Sequence, residues 1–269
     1  MICWWRPRRR RPTISHASRR CSTRDGCVMS ADGGEGEFAP DAGKDSGSLH
    51  ELFHSLRLAD SLFPSGGFGF SWGLEGLFAD GELRRGDLPA FLAASFEQKW
   101  LSFDAPFLQA AFALAREPAR LAELDAELDL RVAGTAQREG SLRAGRALMG
   151  VHVRLGTPGA GELRDLMLAG EGGHQPVVLG AMLALCGLGR ERAMLVAAYG
   201  YLTGLCSAAL RLGHASHLDV QSALNAMGVR VAEGLSGPIR SPLEACAFAP
   251  LAEIAMLRHP DRTTRLFSN

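Results

Sequence analysis

The sequence predicts an all-α fold: a single compact domain of about ten helices over residues 49–269, preceded by a disordered segment over 1–48. Three observations carry this. Between Leu49 and Asn269, apolar residues recur three and four positions apart nearly throughout, the spacing that lines one side of a helix. Stretches in which Val, Ile, Thr or aromatic residues alternate with polar ones are absent, so nothing signals a strand. Glycine and proline breaks cut the body into pieces of ordinary helical length.

The head of the chain is a different material. Residues 1–28 hold eight arginines and one acid, Asp25, a net charge of +7; the rest of the chain carries −7, although the whole balances at 29 bases against 29 acids. Trp4, Trp5 and the run Arg8 to Arg11 suit an arm on phosphates or a membrane surface. The alternative is that Met29 is the natural start and 1–28 a mis-assigned extension. Residues 30–48 are rich in Gly, Asp, Ser and Glu and offer almost nothing to bury, which predicts linker. The head has no apolar stretch of the roughly 7–15 residues that a secretory signal needs.

In the body, Leu52, Leu56 and Ala59, flanked by Phe53 and Leu62, form the first apolar face. Pro64, Gly66, Gly67 and Gly69 then break it into a tight turn. Ser71 is the expected N-cap of a helix containing Leu74, Leu77 and Phe78, ending near Gly81. Asp87 is the expected cap of the next, in which Leu88, Phe91, Leu92, Ser95, Phe96 and Trp100 share a side, and Pro106 starts another. Further helices are expected over 120–132, 135–153, 161–169, 175–188, 190–212, 218–235 and 242–257. Residues 193–210 contain no charge and approach the length of a membrane span; Ala, Tyr, Thr, Ser and Cys dilute them, so a buried central helix is the default. Within it, Gly200 and Gly204 are the expected site where another helix, or a partner subunit, comes close.

Catalytic signals are sparse. No GxxxxGK[ST] surrounds Lys44 or Lys99, the only two lysines, so phosphates have no P-loop cradle. His50 and His54, four apart, could place two imidazoles on one helix face, and His214 and His217 form a looser pair; neither has a Cys or carboxylate in a ligand pattern. Ser141 and Ser207 lack a nucleophile motif. The six cysteines form no CxxC, which fits a reducing cytosolic compartment.

The segment from Leu58 to Glu75, a Pro64-Ser65-Gly66-Gly67-Phe68 turn followed by Ser71-Trp72-Gly73-Leu74-Glu75, resembles the opening signature of the UreF family of urease accessory proteins. The resemblance continues through Arg138-Glu139-Gly140-Ser141 with Gly145-Arg146, through Gly173-His174-Gln175-Pro176-Val177-Val178-Leu179-Gly180, and into Ile254 to His259 and Arg265-Leu266-Phe267-Ser268. It implies a cytoplasmic, non-enzymatic, all-helical homodimer. Such a protein bridges UreD (also called UreH) and the GTPase UreG on the urease apoprotein during nickel insertion. It also implies no stably bound cofactor, nickel being handled by the complex and GTP by the partner GTPase, and neither nucleic acid nor membrane as partner. Partner contact is expected at Pro64, Ser65, Gly66, Gly67 and Phe68 and at Arg258, His259, Arg265, Leu266 and Phe267, and dimer or close helix contact at Gly200 and Gly204. The tail is either an arm that orders on a partner, with Arg258, Arg262 and Arg265 bonding carboxylates, or a segment docked on its own core through Leu266 and Phe267. It departs from the family pattern at Pro260 and at Ser268-Asn269, which lack an acid and an arginine. Other readings are an arginine acting in the partner GTPase's nucleotide site, a metallochaperone for another nickel enzyme, and a helical hydrolase assembled from distant residues.

Overall fold

Helix α9 (Arg190–Arg211) is the axis of the molecule. Around it pack α1 (Ser46–Ala59), α2 (Leu74–Ala79), α3 (Leu88–Ser95), α4 (Ala105–Ala113), α8 (Gln175–Leu185) and α10 (His217–Ser236). The computed structural model describes residues 46–262 and 266–268; the expected basic head and nearly all of the expected linker lie outside the described residues. Helices α5 (Pro118–Asp129), α6 (Thr135–Arg154), α7 (Ala160–Ala169) and α11 (Pro250–Leu257) complete the set. There is no strand among the described residues, so the all-α expectation holds.

The apolar spacing explains the packing. Leu88, Leu92, Phe96 and Trp100 fall on one side and are all buried against α9 and α10, with Met194, Leu202, Leu205, Val220 and Met227. A second cluster joins Phe103, Phe107, Leu121, Leu128, Leu148, Met149, Leu163, Val177 and Val178 from α4 to α8. Each such side chain contributes about 1.5–3 kcal/mol by leaving water. The eighteen-residue charge-free stretch belongs to this core. Helix α9 is, among the described residues, the one helix long and apolar enough to cross a membrane, and 56% of its apolar window is buried inside the protein.

Three local expectations need correction. Gly73 (φ 86°), not Ser71, caps α2; Ser71 Oγ still accepts the Glu75 N–H at 3.4 Å. Only Gly tolerates this position, because a Cβ would lie 2.6 Å from the Ala252 carbonyl of α11. The chain from Phe96 to Asp104 is wound as a π-helix between α3 and α4. The helix expected over 242–257 is a 3₁₀ turn (Pro242–Glu244) and then α11. Pro250 forces its predecessor out of the helical region, and Cys246 and Phe248 donate backbone bonds to Ser102 and Gln98 carbonyls.

Candidate functional site

The turn at the start of the body and the tail at its end form one structure. In the turn, Pro64 and Ser65 are exposed, and Gly66 and Gly67 are half-buried. Gly66 (φ 79°) lies so close to α6 that a Cβ would be 2.9 Å from Ala144 O and Ala147 Cβ. Phe68 occupies the 3₁₀ turn Gly67–Gly69. Phe70 and Trp72 stack with centroids 5.4 Å apart, and Arg143 of α6 lies over the Phe70 ring at 5.5 Å.

Glu75, in the first turn of α2 and buried, gathers the tail. Its carboxylate accepts the Leu266 N–H at 2.7 Å and the Phe267 N–H at 3.3 Å, and pairs with His259 Nε2 at 3.1 Å. Ser268 N–H donates to Gly69 O at 2.8 Å. Phe267 is 6% exposed and joins the α9 core, with the Arg211 guanidinium 4.2 Å from its ring centroid. Arg262 bonds Asp80 at 2.7 Å, and Arg258 approaches the same carboxylate at 4.0 Å. That Arg262 hydrogen bond, first among the causes, holds the Asp80 carboxyl below its usual range.

The expected partner residues thus divide. Pro64, Ser65, Arg258 and Leu266 present surface, whereas His259 and Phe267 are turned into their own chain, because a carboxylate with several lone pairs waits there for otherwise unmet donors. With the tail in this position both side chains are covered by their own chain. Arg265 lies outside the described residues. Of the two roles expected for Gly200 and Gly204, close packing of another helix does not occur among the described residues: a Cβ at either would meet nothing within 4 Å. Both face outward beside the exposed Leu195 and Tyr199.

The two middle motifs also meet. Gly145 of α6 touches the 173–175 backbone so closely that a Cβ would overlap the Gly173 carbonyl oxygen. Ser141 Oγ accepts the Gln175 N–H at 3.2 Å, and Arg146 donates to the Glu171 and Gly172 carbonyls. Asp125, 2% exposed, accepts the Gly173 and His174 N–H groups, both at 2.7 Å. Burial pushes its carboxyl up, and the two amides pull back. Asp129 takes Arg138 at 2.5 Å and His174 Nε2 at 2.8 Å; the Arg138 bond foremost holds it low.

Sequence reasoning had no role for Asp125, Asp129 or Asp80. For Asp125 the signal was present: an acid between Leu121 and Leu128 on the buried face of a helix requires partners. His50 and His54 rings are 4.4 Å apart, and His214 stacks flat on Phe78 at 3.9 Å. No group of three or more metal-capable side chains occurs among the described residues.

These features define a class of all-helical protein in which two separated pairs of motifs lock together and the tail is clasped by the signature helix. The chain belongs to the UreF family, whose family model matches residues 84–228. The turn and the tail fall outside that span. Over 231 residues the chain is 29% identical to the urease accessory protein UreF of Trichodesmium erythraeum, covering 82% of this chain and 98% of the relative. It is 31% identical over 231 residues to that of Rhizobium leguminosarum bv. trifolii, covering 81% and 97%. With that of Rhizobium etli it shares 30% over 222 residues, again 81% and 97%.

Proposed function

We propose that this chain is an accessory protein of urease maturation that binds and does not catalyse. In this reading it is a cytoplasmic homodimeric scaffold joining a UreD (UreH)-type protein and a UreG-type GTPase on the urease apoprotein. Nickel is cargo of the assembly, GTP belongs to the partner, and no cofactor resides in this chain. The observation that carries the reading, beyond family membership, is the clasp. The two segments expected to contact partners come from opposite ends of the body and are joined by the Leu266–Glu75 and Ser268–Gly69 hydrogen bonds, with Pro64, Ser65, Arg258 and Leu266 exposed. The outward Gly200 and Gly204 stripe supports a second copy on α9, since none of the described residues fills the space beside it.

Co-purification of the tagged full chain with its UreD-type and UreG-type counterparts tests this, with the mass of the complex as readout. The expected result is an assembly with two copies of each, weakened at least tenfold by Arg258→Glu combined with Leu266→Asp. Absence of any association under reducing conditions, with nickel and a GTP analogue supplied, would overturn it.

A further inference from the structure

Beneath the turn lies a cavity of about 140 Å³, the size of a space that takes a benzene-sized molecule. Four separated motifs supply its wall, through Ser65, Ser141, Gln175 and Met256. Most of its lining is apolar. One polar end is the work of the π-helical turn, which brings Lys99 back onto Asp104; Gln137, His152 and Glu253 add further polar groups to the lining.

Lys99 Nζ is 2.5 Å from Asp104 Oδ1, with side chains only 17% and 11% exposed. The ammonium also lies 4.7 Å from the centre of the Phe103 ring. Tyr201 of α9 lines the same end and bonds Ser95; burial first, then the Asp104 charge, pushes its phenol up, so it stays protonated. Burial likewise raises Asp104, against the pull of Lys99.

The chemistry of this end selects a ligand. An ammonium has three donors and a carboxylate two accepting oxygens, and the one bond between Lys99 and Asp104 leaves both with capacity toward the cavity. The two charges already offset each other. Held between these two groups, a charged guest would find no spare counter-charge there. A neutral head that both donates and accepts would satisfy the spare groups.

We propose that this cavity is a binding site for a small neutral molecule with an apolar, benzene-sized body and a hydroxyl or carboxamide head, held between Lys99 and Asp104. The site shares Ser65, Gly67 and Gly200 with the proposed contact surfaces, but it does not rest on the reading of the chain as a urease accessory protein.

Calorimetric titration of the full chain with benzyl alcohol, benzamide, benzene, benzoate and benzylamine tests it. Benzyl alcohol and benzamide should bind about tenfold more tightly than benzene, the gain from one good hydrogen bond, and the two ions should not bind. The double variant Lys99→Met/Asp104→Leu, which exchanges the buried pair for apolar groups of similar size, should reverse the order in favour of benzene. If that variant loses its helical signal, Val196→Phe decides instead: it fills the cavity from α9 and leaves the polar end in place, and binding of benzyl alcohol should vanish. Equal affinity for benzene and benzyl alcohol, binding of the ions, no binding by any probe, or unchanged binding in Val196→Phe would each overturn the proposal.

Discussion

Two junctions hold the motifs of this chain, and they are built from opposite materials. Between α5, α6 and the start of α8, backbone meets backbone. Gly145 touches the 173–175 segment, and Asp125 ties down two successive amides at 2.7 Å. Between α2 and the tail, one carboxylate and one exposed ion pair hold a short segment near the end of the chain. The first junction cannot open without unfolding its surroundings. The second can, because little apolar area beyond Phe267 is lost when the tail leaves. A protein that must keep its frame while offering a changeable face needs both.

The comparison can be broken from its rigid side first. Gly145→Ala should cost about 4 kcal/mol, because the methyl meets a carbonyl oxygen that has nowhere to retreat. In thermal denaturation this is a fall of roughly 8–16 °C; a change under 3 °C or so would show that the contact is loose.

Next is a pH effect from the same helix. His152, 1% exposed, bonds Thr157 Oγ1 at 2.9 Å, and burial lowers its pKa to about 4 from 6.5. The unfolded chain takes up this proton below 6.5 and the folded chain only near 4. The stability is therefore fully present above 6.5 and is lost as pH falls toward 4, roughly 3 kcal/mol in all. Urea denaturation at pH 7 and pH 4.5 should show a smaller difference for His152→Gln than for the parent; equal differences would remove His152 as the cause.

Asp125→Asn should cost about 2 kcal/mol, since an amide NH₂ replaces one of two oxygens that face buried N–H groups. Glu75→Gln should do least to the whole and most to the tail. Melting should move by the equivalent of about 1 kcal/mol or less, while tryptic cleavage after Arg262 quickens several-fold. If melting falls as far as for Gly145→Ala, the tail is part of the frame and the contrast between the junctions fails.

Much of this was legible in the sequence. Most helices and the buried face through Leu88, Leu92, Phe96 and Trp100 follow from spacing alone, because a period near 3.6 and the preference of apolar atoms to leave water act locally. The first expected apolar face does not hold, since Leu52, Phe53, Leu56 and Leu62 are exposed and Leu58 is the leucine α1 buries. The family resemblance marked all four segments that pair in space. It did not say which pairs with which. The sequence also missed the π-helical turn and the split of the last expected helix, since both answer to distant backbone groups.

By itself the sequence determined the all-α class and the order of most elements. Tertiary structure alone decided that His259 and Phe267 point inward while Arg258 and Leu266 do not, that Gly200 and Gly204 are open, and that Lys99 finds Asp104. The physical reason is range. Helical periodicity is settled within a few residues, whereas a buried carboxylate chooses among donors that approach from as far as 192 positions along the chain, and only the packed fold says which arrive.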